Sequence, residues 1–120
     1  MILVTGAIAS GKKTYARSLG YEEEDLADAT LDERPVVFNV QDMVALTSDL
    51  DELLEGLIAK DVVIMTEVGS GVVPRDSSER AWREEVGRLA IELGQRADVV
   101  VRMVCGIPVA VKGELPEPRA

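Results

Sequence analysis

The sequence predicts an α/β fold: a mostly parallel sheet covered by helices on both faces, three layers in all, with an antiparallel hairpin at its C-terminal edge. Three observations lead there. Apolar runs at residues 1–5, 35–40, 61–66 and 99–105 alternate with helical patterns at 11–19, 48–59 and 76–97. Hydrophobic residues make up 47% of the chain but aromatics only 3%, so the core must be Val, Leu, Ile and Ala, which suits a sheet buried on both sides. Gly106-Ile107-Pro108 then turns the last strand back onto residues 109–112.

Each element has its own local reason. Residues 1–5 form a short buried strand, and the helix from Gly11 to Leu19 is stopped by Gly20. The acidic run Glu22-Glu23-Glu24-Asp25 is expected to be a solvated loop or a first helical turn, because adjacent acids do not converge on one point. A short strand is expected at 26–30, followed by a turn ending at Pro35 and a β-branched strand at 35–40. Ser48 or Asp49 caps a helix whose Leu50, Leu53, Leu54, Leu57 and Ile58 share one face. Asp76 and Glu79 open the longest helix, with Trp82, Val86, Leu89, Ala90 and Leu93 as its apolar stripe. Arg80 and Arg83 are expected on the solvated face of that helix, and Arg75 to face phosphate or solvent. Trp82 is expected to anchor packing, within the chain or against another subunit. Cys105 is expected to be a small core residue, and residues 113–120 a frayed tail.

The chain has 120 residues, the size of one domain. No apolar run reaches membrane-spanning length, and Met1 leads straight into a strand, so a cytoplasmic protein with no membrane partner is expected. The net charge of −9 repels a phosphate polymer and argues against nucleic-acid binding. One cysteine excludes an internal disulfide, and the absence of histidine removes the usual proton carrier at neutral pH.

The motif that carries chemistry is Gly6-Ala7-Ile8-Ala9-Ser10-Gly11-Lys12-Lys13-Thr14, a Gly-x-x-x-x-Gly-Lys phosphate loop set between strand and helix. It makes the fold P-loop NTPase-like and predicts that residues 6–14 bind ATP or GTP. The two glycines let backbone N–H groups point inward, the helix start adds positive potential, and Lys12 reaches the β- and γ-phosphates. Mg²⁺ support is weaker. Lys13 stands where a Ser or Thr would ligate the ion, and an ammonium has no lone pair to offer. Asn39, read as the end of the neighbouring strand, replaces an acid there; Asp42 could substitute as a metal ligand only if the backbone bends. Lys13 could itself neutralise phosphate charge, which serves binding more than catalysis. Glu67, just past a strand end and beside glycines, is placed where open α/β sheets hold ligands.

These residues resemble a known family. The opening residues 1–12 and the segment Thr66-Glu67-Val68-Gly69-Ser70-Gly71-Val72-Val73-Pro74 are similar to those of the adenosylcobinamide kinase / adenosylcobinamide-phosphate guanylyltransferase family. So are Arg80, Arg83, Gly87 and Leu89 in the following helix, and the hairpin around Cys105-Gly106-Ile107-Pro108. The similarity covers residues 1–14 and 61–112. It implies phosphorylation of the cobinamide aminopropanol hydroxyl by a nucleoside triphosphate, then GMP transfer from GTP through a guanylylated histidine. It also implies Lys12 and Glu67 as catalytic residues, and a homo-oligomer, dimer or trimer, for which an aliphatic edge hairpin gives a physical motive. This chain departs from the pattern at Lys13 and Asn39, and only residues 21–35 remain of the segment that bears the family's histidine. With no histidine, that covalent intermediate cannot form on this chain. The competing expectation is a catalytically impaired relative that binds nucleotide or corrinoid as a regulatory or assembly module.

Overall fold

The structure, a computed structural model, describes residues 1–68 and 76–119. In chain order the elements are β1 (Ile2–Gly6), α1 (Lys12–Ser18), a 3-10 turn (Glu23–Asp25), β2 (Leu26–Asp28), β3 (Val36–Phe38), α2 (Val40–Val44), α3 (Leu50–Ile58), β4 (Val62–Thr66), α4 (Ser77–Arg96), β5 (Val99–Val104) and β6 (Ile107–Lys112). Among the described residues six strands form one sheet in the order β2-β3-β4-β1-β5-β6, with every neighbouring pair parallel except β5–β6. No helix among them is long and apolar enough to cross a membrane.

Strand alternation divides the core into the expected layers. Leu3, Val37, Val63 and Met65 pack with Val44, Leu54, Leu57, Leu89 and Leu93 under α2, α3 and α4. Val4, Val36, Val62, Ile64 and Val101 turn the other way, onto Tyr15, Ala16 and Leu19 of the α1 segment. Asp49 caps α3 by accepting from the N–H groups of Asp51 and Glu52, at 3.0 and 3.1 Å. Asp76 caps α4 through the Glu79 N–H at 2.8 Å. Gly20, at φ 102°, ends the first helix as expected.

Several expectations are corrected. The strand foreseen at 35–40 stops at Phe38; Asn39 takes a left-handed conformation (φ 56°, ψ 38°) and starts a short helix, α2, that β-branched patterning concealed. Cys105 is exposed, outside the core. At φ 51° it forms the two-residue turn of the β5–β6 hairpin with Gly106 at φ 78°, so β6 begins at Ile107. Arg83 is largely buried and pairs with Glu79 at 2.9 Å, whereas Arg80 is exposed as expected. Trp82 packs against the larger core cluster and donates its indole N–H to the Gln41 carbonyl at 3.1 Å. The tail lies back on α1, with the Arg119 N–H on the Ser18 carbonyl at 2.8 Å.

The acidic run forms a solvated 3-10 turn, closed by a reciprocal cap between Glu22 and Asp25. Residues 29–35 then join two adjacent parallel strands without a helix, a shorter crossover than such pairs usually need. Polar contacts hold it. The Arg34 guanidinium forks onto Asp32 at 2.6 to 3.1 Å and also reaches the Leu26 carbonyl at 3.1 Å. Lys60 donates to the Arg34 carbonyl at 2.8 Å and to the Asp32 carbonyl.

Leu57 is fully buried, so Leu57→Ala should cost about 2–5 kcal/mol in a urea titration at pH 7. The Arg34 hydrogen bonds hold the Asp32 carboxyl down to about 2. A depressed carboxyl contributes fully above its ordinary range and loses that contribution as pH falls toward about 2. An NMR titration should therefore find Asp32 near that value in the native chain, and back near 3.8 in Arg34→Ala.

Candidate functional site

The position of the loop at residues 7–11 follows directly from the sheet. β1 is the strand between β4 and β5, and the chain leaves its carboxyl end at Gly6 to enter residues 7–11. Gly6 has φ 150°, and a Cβ there would lie 2.6 Å from the Ser10 hydroxyl and 2.8 Å from the Met103 carbonyl, so only glycine fits. Ala9 (φ 58°) and Gly11 (φ 93°) are also left-handed, which gives the loop its curl. The β5–β6 turn braces it from outside: the Gly106 N–H donates to the Ser10 carbonyl at 3.0 Å. Helix α1 spans only Lys12–Ser18, so little macrodipole is added to what the loop and its lysines supply.

Beside the loop lies a cleft of about 330 Å³, lined by residues 8–14 with Phe38, Asn39, Ile64 and Thr66. Lys12 is buried and bends back over the loop, donating to the carbonyls of Gly6 and Ala7 at 3.2 and 2.6 Å. Burial pushes its ammonium below the ordinary lysine value, and the nearby Glu67 charge opposes that shift. Lys13 lies along the same wall, with Nζ 4.3 Å from the centre of the Phe38 ring and 4.0 Å from Glu23. Thr14 is exposed at the rim, while the Ser10 hydroxyl is buried with no hydrogen-bond partner among the described residues.

The acid positions differ from the expected arrangement. Asn39 lines the cleft, but it follows β3, and the strand beside β1 is β4. Asn39 donates its side-chain amide to Asp28 at 2.9 Å. The residue that follows β4 is Glu67, whose N–H donates to the Gly6 carbonyl at 2.9 Å. Both Glu67 carboxylate oxygens accept from Arg102 of β5, at 2.8 and 3.2 Å. Asp42 sits exposed in the first turn of α2, outside the residues that line the cleft. Among the described residues no cluster of three acids or thiols is arranged to hold a metal.

Two further contributors carry little signal in the sequence. Arg102 was visible as the one charge in the Val-rich run 99–104. Gln41 is buried on α2 and accepts the Thr66 N–H through Oε1 at 3.1 Å, which ties α2 to the end of β4; no sequence pattern announced it. Residues 69–74 of the family-like segment, and Arg75, lie outside the described residues.

Comparison with known proteins fits this arrangement. The family model for cobinamide kinase / cobinamide phosphate guanyltransferase matches residues 26–111, from β2 through β6 and beginning after the loop. The bifunctional adenosylcobalamin biosynthesis protein CobU of Salmonella typhimurium is 35% identical over 78 residues, which cover 59% of this chain and 43% of that protein. This chain therefore spans under half of that relative's length. A match over most of the sheet, joined to a mostly parallel fold with an antiparallel edge, establishes that the chain belongs to the cobinamide kinase / cobinamide phosphate guanyltransferase family.

Proposed function

We propose that the chain binds a nucleoside triphosphate, ATP or GTP, with its phosphates seated on residues 6–14. The observation that carries this reading is the curled loop with Lys12 folded over it at the end of β1, beside an open cleft. A phosphate oxygen offers the Lys12 ammonium a charged partner in place of two neutral carbonyls, and charge-assisted hydrogen bonds are the stronger kind. Family membership supports phosphoryl transfer to the cobinamide hydroxyl as the associated activity. In that role Lys12 would stabilise charge on the transferring group and Glu67 would orient the acceptor hydroxyl. Guanylyl transfer through a histidine has no residue to carry it on this chain. The exposed apolar residues Ile107, Val109 and Val111 on edge strand β6 support assembly of copies, dimer or trimer.

A specific observation favours a second reading. The Arg102 fork occupies both oxygens of Glu67, and Lys13 takes the metal-ligating position. A site so arranged suits a nucleotide- or corrinoid-binding module that regulates or assembles without turnover.

Lys12→Ala should weaken nucleotide binding about tenfold to a hundredfold by calorimetry, the loss of one or more charge-assisted contacts. Incubation with ATP or GTP, Mg²⁺ and cobinamide separates the readings: labelled phosphate on cobinamide establishes the kinase, and binding without transfer establishes the module. Absence of nucleotide binding would overturn both.

A further inference from the structure

P-loop proteins hold their nucleotide with Mg²⁺, supported by a loop hydroxyl and a strand-end acid. The donor set of this cleft does not fit that ion. Its lining among the described residues contains Lys12 and Lys13 but no carboxylate. Mg²⁺ sites of this type use one or two carboxylates with the phosphates, and a lysine ammonium repels the ion. Asn39, a neutral amide, lines the wall where an acid would help, and its N–H is directed at Asp28. The acid that follows β4, Glu67, is neutralised by the Arg102 fork. The hydroxyls of Thr14 and Thr66 remain, but neither carries charge.

We infer that Lys13 takes the place of the metal, and that the cleft binds the metal-free polyphosphate of a nucleotide. This rests on the nucleotide-binding reading above. Lys13 is stationed for the purpose. Its ammonium lies on the face of Phe38, itself a wall of the cleft, at 4.3 Å. That contact holds the charge at the site without occupying its hydrogen-bond donors. Its ionic partner, Glu23, is distant at 4.0 Å and is also bound by Arg17, so the hold is weak enough to exchange for phosphate. Lys13 then adds one positive charge beside that of Lys12, half of what Mg²⁺ would bring. A fixed lysine differs from the ion in charge and in chemistry: it offers one positive charge and hydrogen bonds, with no coordination shell to polarise a transferring group. The inference therefore assigns this site nucleotide retention with little or no Mg²⁺ requirement.

The test titrates the N-methylanthraniloyl derivatives of ATP and GTP into the full chain, once in EDTA and once in Mg²⁺. Wild type should bind in EDTA at least as tightly as in Mg²⁺. Lys13→Ser should lose about tenfold or more in EDTA, the worth of a charged contact, and should bind more tightly when Mg²⁺ is added. Lys13→Arg, which keeps the charge, should retain metal-free binding. The inference is overturned if wild-type affinity rises tenfold or more with Mg²⁺, or if Lys13→Ser matches wild type in EDTA. Binding in neither buffer overturns the nucleotide reading and this inference with it; binding only with Mg²⁺ overturns this inference alone. Lys13 is partly exposed and lies outside both core clusters, and circular dichroism verifies that each variant is folded.

Discussion

Pairing of β1 with β4 on one side and β5 on the other is the constraint from which the rest of the site follows. Ile2 through Gly6 run in register with Val62–Thr66 and with Val99 to Met103, so three strand ends come level at one edge. Gly6 must then pass between the Ser10 side chain and the Met103 backbone, which leaves room for no Cβ. The same register sets Arg102 across from Thr5, one residue before the loop, and brings Glu67 against the Gly6 carbonyl. Core packing enforces the alignment, because a one-residue slip would exchange Leu3 and Val4 between the two faces.

Around that edge several carboxylates have polar or charged partners. The chain as a whole is strongly acidic, yet the cleft presents two lysines and keeps the nearby carboxylates engaged elsewhere. Glu67 answers to Arg102, Asp28 to Asn39, and Glu23 to Arg17 and Lys13. A local field opposite in sign to the net charge is what the proposed binding of a small anion requires, where a long phosphate polymer would be repelled.

Much of this was legible in the residues. The loop was recognisable because its glycines perform a conformational task that other residues cannot, and the strands because aliphatic runs were bounded by turn residues. The helices at Asp49 and Asp76 announced themselves through their caps. Three things were hidden, each for a physical reason. Helix α2 begins in Val40, and a β-branched residue after a β-branched strand carries no boundary signal; the break came from Asn39 entering the left-handed region. Strand order depends on long-range pairing, so β4 as neighbour of β1 could not be told from β3 by local pattern. The apolar character of Cys105 points to the core, whereas the two-residue hairpin turn places it in the bend. The Glu67–Arg102 pair joins residues 35 apart in sequence and had no local signature at all.

Lys12, bent over the carbonyls of Gly6 and Ala7, makes the loop a self-liganded one. On the proposed nucleotide-binding reading, a phosphate would enter by displacement, the two Lys12 bonds being surrendered for those gained. Net affinity on that reading would report the difference between an internal and an external partner for the same ammonium. A buried cation thus has acceptors of its own within the loop.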